Sequence, residues 1–262
     1  MDQTQICLNK ALQNQDAFLR LCKAFTDIGV EHQRTLSKDK DWPAVYEQVM
    51  TELVQNNAAL VFKHSESPIE VLFLNSLALS FLNAGLPLVF LPPADDVVAA
   101  IDEFLKNIVF IQELAERFQK RTQLNLSLGE FIDHEFKQHR MTSEDACSCM
   151  RGVIYYEWLS LDKTPHVVLQ AGFPDVRIDG RSVRVDLLAF LPAKPNKKLV
   201  IECDGFQFHG SQEAFTRDRK RDRALGALSL QVLRFSGSEI YQDAPRTAQE
   251  LFKQLTAWLD EN

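Results

Sequence analysis

The chain has 262 residues, 45% of them hydrophobic, with 29 Lys and Arg against 36 Asp and Glu for a formal charge of −7. That composition supports a packed core and argues against disorder, and the acidic balance excludes a generic basic coat for nucleic acid while leaving room for a local basic patch. No run of about 18 apolar residues occurs, so no membrane association is expected, and the opening residues lack the basic start and apolar core of a secretory leader.

Residues 1–62 are expected to form a helical accessory segment. Leu8, Ala11, Leu12, Phe18, Leu19, Leu21, Cys22 and Phe25 recur mostly at three- and four-residue intervals. Gly29 is a stop, and Asp41-Trp42-Pro43 opens a second helix with Val45, Val49, Leu53 and Val54 inside. Residues 63–262 are expected to form one larger domain. Ser67-Pro68-Ile69-Glu70 starts a helix that runs apolar through Phe73, Leu77 and Phe81 and ends at Gly85. Residues 86–90 read as a short strand or an extended connection before Pro92-Pro93. A helical insertion is expected at about 95–161, carried by Val97, Ile101, Phe104, Leu105, Ile108 and Ile111, then Leu128, Phe131, Ile132 and Phe136, then Met150, Val153, Ile154 and Trp158. His134 and His139 are five apart, and a zinc-protease pair needs four to share a helical face, so no such site is read there.

The period then changes. Residues 166–173 and 176–178 are strand candidates, and Asp179-Gly180 is a hairpin signal. Residues 183–191 and 199–208 follow as strands, joined by a loop with two prolines and three lysines. A charged helix at 214–228, a strand at 230–235 and an amphipathic helix at 244–259 complete the chain. Antiparallel neighbours, followed by a strand reached through a helix, predict a mixed sheet with helices packed on it. The cysteines at 7, 22, 147, 149 and 203 form no disulfide framework, which points to free thiols in a reducing, cytoplasmic compartment. Cys147 and Cys149 alone fall short of the four ligands of a structural zinc site.

One stretch concentrates the chemistry: Leu199-Val200-Ile201-Glu202-Cys203-Asp204-Gly205-Phe206-Gln207-Phe208-His209. An apolar strand delivers two carboxylates and a histidine, and Asp186 sits in another strand-like run sixteen residues before Glu202. Mg²⁺ takes oxygen ligands, commonly one or two carboxylates, and leaves other positions to water and phosphate. Asp186 and Glu202 supply the carboxylates, and the Cys203 carbonyl can add a third oxygen; Mn²⁺ is a possible substitute. The competing reading is a pair of solvated strand-end charges. Arg217 to Arg223 reads Arg-Asp-Arg-Lys-Arg-Asp-Arg. Either Arg217 and Arg221 pair with Asp218 and Asp222 along the helix, or Lys220, Arg221 and Arg217 contact phosphate. Arg234, on an otherwise apolar strand, is expected to pair with a carboxylate.

Asp186 followed by Glu202-Cys203-Asp204 resembles the PD-(D/E)XK restriction-endonuclease-like superfamily. The stretch Ile201 to His209, Asp218 and Arg221 on the next helix, and Val232-Leu233-Arg234-Phe235 are similar to the branch related to very-short-patch repair endonucleases, and Ser67-Pro68-Ile69-Glu70 to the opening helix of such domains. The likeness covers about residues 166–242 and 67–82, not the N-terminal helices or the 95–161 block. It implies an α/β restriction-endonuclease-like core (helix, three antiparallel strands, helix, parallel strand) with added helical segments. It also implies Mg²⁺-dependent endonuclease hydrolysis of phosphodiester bonds in DNA; repair, restriction, phage defence and transposition all use this fold. The proposed site reads only phosphate and metal, so it does not separate RNA from DNA.

This sequence departs from the family at Asp204, which stands where a lysine is usual. Asp204 can ligate a second cation, act as a general base, or be a turn residue before Gly205. A cation from Lys220 can take the lysine's place in space. His209 can orient water or protonate the leaving 3′ oxygen, or be an exposed strand-end histidine. Glu70 can complete the metal site from the first helix or serve only the Ser67-x-x-Glu70 capping box. The alternative to an enzyme is a catalytically inactive nuclease-derived module for nucleic-acid binding or assembly. The helical additions suit target recognition or a protein partner.

Overall fold

The computed structural model describes residues 59–122, 152, 160–204 and 212–260. The helices expected before residue 59 and at 128–136, the expected helix around 150–158 apart from residue 152, the end of the strand expected at 199–208, and His209 lie outside them. The described residues divide into two compact units, one holding 59–101 and 163–260, the other 102–122, 152 and 160–162. Every element of the site belongs to the first.

Helix α1 (Pro68–Asn83) starts where the sequence marks it. The Ser67 hydroxyl accepts the Glu70 N–H at 3.3 Å and donates to Glu70 Oε1 at 2.8 Å, while the Glu66 N–H donates to Glu70 Oε2 at 3.0 Å. These contacts satisfy N–H groups that have no partner inside the helix. Its end is a Schellman closure: Leu86 N–H donates to the Phe81 carbonyl and Gly85 N–H to the Leu82 carbonyl, both at 3.0 Å, with Gly85 at φ +68°. Residues 70–78 and Phe81 are buried on every side of the helix except at its outermost turns, so α1 is a core helix rather than a surface one.

The sheet has five strands in the order β1 (Val89–Leu91), β2 (His166–Ile178), β3 (Arg181–Leu191), β4 (Lys194–Asp204) and β5 (Gln231–Ser236). β1 runs parallel to β2, β2–β3 and β3–β4 are antiparallel, and β5 is parallel to β4. Helix α2 (Val97–Thr122) follows β1, α3 (Gln212–Ala227) joins β4 to β5, and α4 (Gly237–Asp260) closes the chain. The mixed sheet with helices is as expected. α1 and α4 pack against each other, with Phe81 meeting Phe252 edge-on at 5.0 Å, and Phe73 of α1 lies 4.9 Å from Phe235 of β5.

Two boundaries differ from the sequence reading, and one helical segment is added to it. The two expected strand pieces at 166–178 are one strand, β2, with a register shift between Phe173 and Arg177. It turns into β3 through Asp179 (φ +51°) and Gly180 (φ +82°), the two positive φ values of a type I′ hairpin. The loop expected before residue 199 is a two-residue turn, because β4 begins at Lys194. β5 pairs with β4 only from Leu199 onward, so Pro195 interrupts no ladder bond to β5. The closing helix expected from Ala244 starts there, after a break at Asp243, and a shorter helical segment from Gly237 that the sequence reading did not include leads into it. Ser236 and Glu239 form a second capping box, and a break at Asp243 (φ −153°) is recapped when Asp243 Oδ1 accepts the Arg246 N–H at 3.1 Å.

Candidate active site

β3 and β4 place the acids. On β3, Val183, Val185 and Leu187 turn into the core, and Arg184 and Asp186 turn to the opposite face. The β3–β4 ladder runs to Leu187↔Ile201, and one further step sets Asp186 opposite Glu202. The carboxylate takes over there: Asp186 Oδ2 accepts the Cys203 N–H at 2.7 Å. In the β4–β5 ladder, Glu202 stands beside Arg234 and Asp204 beside Ser236. Asp186, Glu202, Asp204 and Arg234 therefore share one face of three adjacent strands. Glu70 joins them from α1. All five line an open cleft of about 790 Å³, together with Arg184, Arg217, Asp218 and Arg221.

α3 lies along this face, and three consecutive residues of it reach the β2–β3 turn and strands β3, β4 and β5. Lys220 Nζ donates to Asp179 Oδ1 at the hairpin tip at 2.8 Å. Arg221 donates to Glu202 Oε1 and, at 2.7 Å, to the Arg184 carbonyl. Asp222 accepts from Arg234 Nη2 at 2.8 Å. The charged run thus pairs with the sheet, where the sequence offered pairing within the helix as one reading. Lys220 is exposed at the rim and is not among the residues lining the cleft. Asp204 is in contact with Arg234, whose Nη1 lies 3.1 and 3.3 Å from its two carboxylate oxygens. The expected carboxylate partner of Arg234 is present twice over.

The electrostatics are those of crowded acids. Burial pushes Glu202 up to about 8, aided by the charge of Asp186 and opposed by Arg221. Burial also raises Asp186, against the lowering effects of the Cys203 N–H and Arg221. It raises Glu70, whose hydrogen bond from Glu66 works the other way while Asp186 adds to the rise. Burial likewise keeps the Cys203 thiol protonated, well above its ordinary range, with the neighbouring carboxylates reinforcing the effect. The Cys203 side chain is therefore a core group and no thiolate ligand.

Buried carboxylates that repel one another are stabilised by a cation, and an all-oxygen donor set suits a hard divalent ion. Among the described lining residues seven acids face five arginines, which favours a cation over a bare polyanion. The donor chemistry of Glu70, Asp186 and Glu202 fits such an ion. Among the described residues, no three His, Cys, Asp or Glu side chains already stand as a ready-made cage. The guanidinium of Arg221 occupies Glu202 instead.

Sequence reasoning missed several residues of this arrangement. Gln170, buried in β2, donates from Nε2 to Glu70 Oε2 at 3.2 Å. Arg184 pairs with Glu66 at the rim. Asp222 is the second anchor of Arg234. The usable signal for Gln170 was a lone amide inside the apolar run from Val167 to Phe173.

Residues 170–255 match the family model REase_MTES_1575, a restriction-endonuclease-like family. The match starts within β2 and ends within α4, so it carries Asp186, Glu202, Asp204, Arg221 and Arg234 and leaves out Glu70. It supports the restriction-endonuclease-like superfamily and suggests a nuclease with DNA as substrate; it does not single out the very-short-patch repair branch. No curated protein and no solved structure matches the chain.

Proposed function

We propose that the protein is a divalent-metal-dependent endonuclease that hydrolyses phosphodiester bonds in DNA. One observation carries this reading. Two carboxylates, Asp186 and Glu202, are crowded onto neighbouring strands with their pKa values raised, inside the segment that matches a nuclease family.

Asp186 and Glu202 would hold Mg²⁺ or Mn²⁺, with the Cys203 carbonyl and Glu70 as further oxygen donors. Once bound, such an ion polarises a phosphoryl oxygen and lowers the pKa of water. Arg221 donates to Glu202 in the free protein, and with Glu202 holding a metal its guanidinium would be available to the scissile phosphate. Arg217 extends that contact along the backbone, and Lys220 adds charge at the rim. Asp204, contacted through both oxygens by Arg234, would take a proton from water. His209, five residues on, is the candidate donor to the leaving 3′ oxygen. Arg234 and Arg221 together replace the positive charge that a lysine at position 204 would bring. The mixed five-stranded sheet with helices, in which β1 and α2 stand between α1 and the three antiparallel strands, supports that reading at the level of fold class. A cytoplasmic role in repair, phage defence or a mobile element suits such an activity.

A second reading, a nuclease-derived module that binds without cutting, is favoured by one fact: both Glu202 and Asp204 are already paired with arginines. Incubation of the protein with supercoiled, linear and single-stranded DNA and with RNA, in Mg²⁺, Mn²⁺ or EDTA, separates the two. The enzyme reading expects DNA cleavage that needs the metal and is lost in Asp186→Asn and Glu202→Gln. Binding to DNA with no cleavage in either metal supports the second reading.

A further inference from the structure

We propose that Gln170 is a positioning residue that fixes the Glu70 carboxylate toward the cation site, and that the backbone of β2 is held in an unfavourable conformation to put it there. This rests on the metal reading of the cleft.

Gln170 has φ +48° in the middle of a strand. L residues other than glycine, asparagine and aspartate rarely adopt that region, and its occupation inside regular structure marks a conformation that surrounding contacts enforce. The ladder records the interruption. Leu169 pairs with Leu187 and Ala171 with Val185, and no pair falls at Gln170, which stands opposite Asp186. The other edge of β2 shows why the chain can turn there. Leu91 pairs with Val168 and Ala94 with Ala171 at the same offset. Pro92 and Pro93 thus fall opposite Leu169 and Gln170, and neither proline has an N–H to donate. Two residues on, the chain is clamped again. The Gly172 N–H donates to the Ala94 carbonyl at 2.7 Å, and a Cβ on Gly172 would lie 2.3 Å from the Asp95 carbonyl oxygen.

The distorted residue spends its amide on Glu70. Glu70 Oε1 accepts the Ser67 hydroxyl, and Oε2 accepts both the Glu66 N–H and Gln170 Nε2. A carboxylate oxygen offers about two lone-pair sites. Oε2 is therefore filled and Oε1 keeps one site. A helix cap needs only the first two of these bonds. The third comes from a residue 100 positions away in the sheet, and it fixes the plane of the carboxylate beside Asp186. Second-layer donors of this kind orient metal-ligating carboxylates.

The test combines Mn²⁺ affinity, measured by calorimetry without DNA, with thermal unfolding of the metal-free protein. Gln170→Asn suits the left-handed backbone but its amide is one methylene short of Glu70. It is expected to bind Mn²⁺ roughly 10-fold more weakly while melting at or above the wild-type temperature; losses of that order are usual for such donors. Glu70→Gln is expected to weaken binding too, and adding Gln170→Asn to it should cost no more than Glu70→Gln alone. Wild-type Mn²⁺ affinity in Gln170→Asn, with Glu70→Gln weakened, overturns the positioning role and leaves the metal reading standing. Additive losses in the double variant overturn it as well. If the wild type binds no Mn²⁺, or Glu70→Gln binds as tightly as wild type, the role of Glu70 at the cation site fails and the proposal with it.

Discussion

Asp186 accepts the backbone N–H of Cys203 at 2.7 Å, so a side chain of β3 closes the ladder at the point where β4 presents Glu202. One carboxylate oxygen is engaged in structure, and under the proposed function the other would face the metal. The two acids are held close by strand pairing, which a flexible loop would not achieve.

Asp186 can be separated into its two roles. Asp186→Asn keeps an oxygen that accepts the Cys203 N–H but removes the charge. DNA cleavage in Mg²⁺ is expected to fall at least roughly 10³-fold, equivalent to about 4 kcal/mol, with little change in melting temperature. Asp186→Ala is expected to abolish cleavage as well, with the fold retained. It also orphans the Cys203 N–H, so it should cost about 1–3 kcal/mol of stability. Rates on a plasmid substrate and melting curves of both variants check this.

Arg221 lowers the Glu202 pKa, so its removal has a direction. In Arg221→Ala the carboxyl should titrate higher, and the pH at which Mn²⁺ binding is half-maximal should move upward. Cleavage at saturating metal is expected to drop about 10²-fold through loss of a phosphate contact. Calorimetry across pH 6–9 reads the first effect (the range being set by roughly the ordinary carboxylate-to-amine interval), and single-turnover kinetics the second.

The raised pKa of Glu202 makes metal-free stability depend on pH. Between the ordinary value of 4.5 and about 8 the folded protein holds a proton that the unfolded chain has released. The unfolded state binds fewer protons there, so stability falls as pH rises through that window and levels off above it. Urea midpoints from pH 5 to pH 8.5 (roughly that interval) should show the decline. Glu202→Gln should flatten it, and added Mn²⁺ should offset it.

Arg234 holds Asp204 and Asp222 at once and is only a quarter exposed. Arg234→Ala removes the guanidinium that two neighbouring carboxylates share, at an expected cost of about 2 kcal/mol. Arg234→Lys should recover little of it, because an ammonium cannot span both partners as the planar fork does. Chemical unfolding of the two variants distinguishes these outcomes.

Much of this architecture is legible in the chain because its signals are local. Ser67-x-x-Glu70, Asp179-Gly180 and the apolar runs ending at Asp186 and Glu202 each mark an element by short-range physics. The capping box Ser236-x-x-Glu239 was equally local, and overlooking it left out the helical segment before the break at Asp243, while the helix from Ala244 was read where it lies. The strand at 194–198 was hidden for a different reason: Pro195 and three lysines read as loop, and only the late start of β5 makes them admissible in a strand edge. The arginine pairings are nonlocal. Which acid Arg221 or Lys220 meets depends on how α3 lies across the sheet, and no spacing encodes that. Gln170 is the extreme case, since its role depends on prolines about eighty residues earlier and on a helix 100 residues away.

The measurement that bears most directly on the cleft is an anomalous difference map from crystals soaked in Mn²⁺. A single peak bonded to oxygens of both Asp186 and Glu202, with the Arg221 guanidinium moved off Glu202, is the expected result. A map with no peak between those two carboxylates at saturating Mn²⁺, and Arg221 still seated on Glu202, would contradict it.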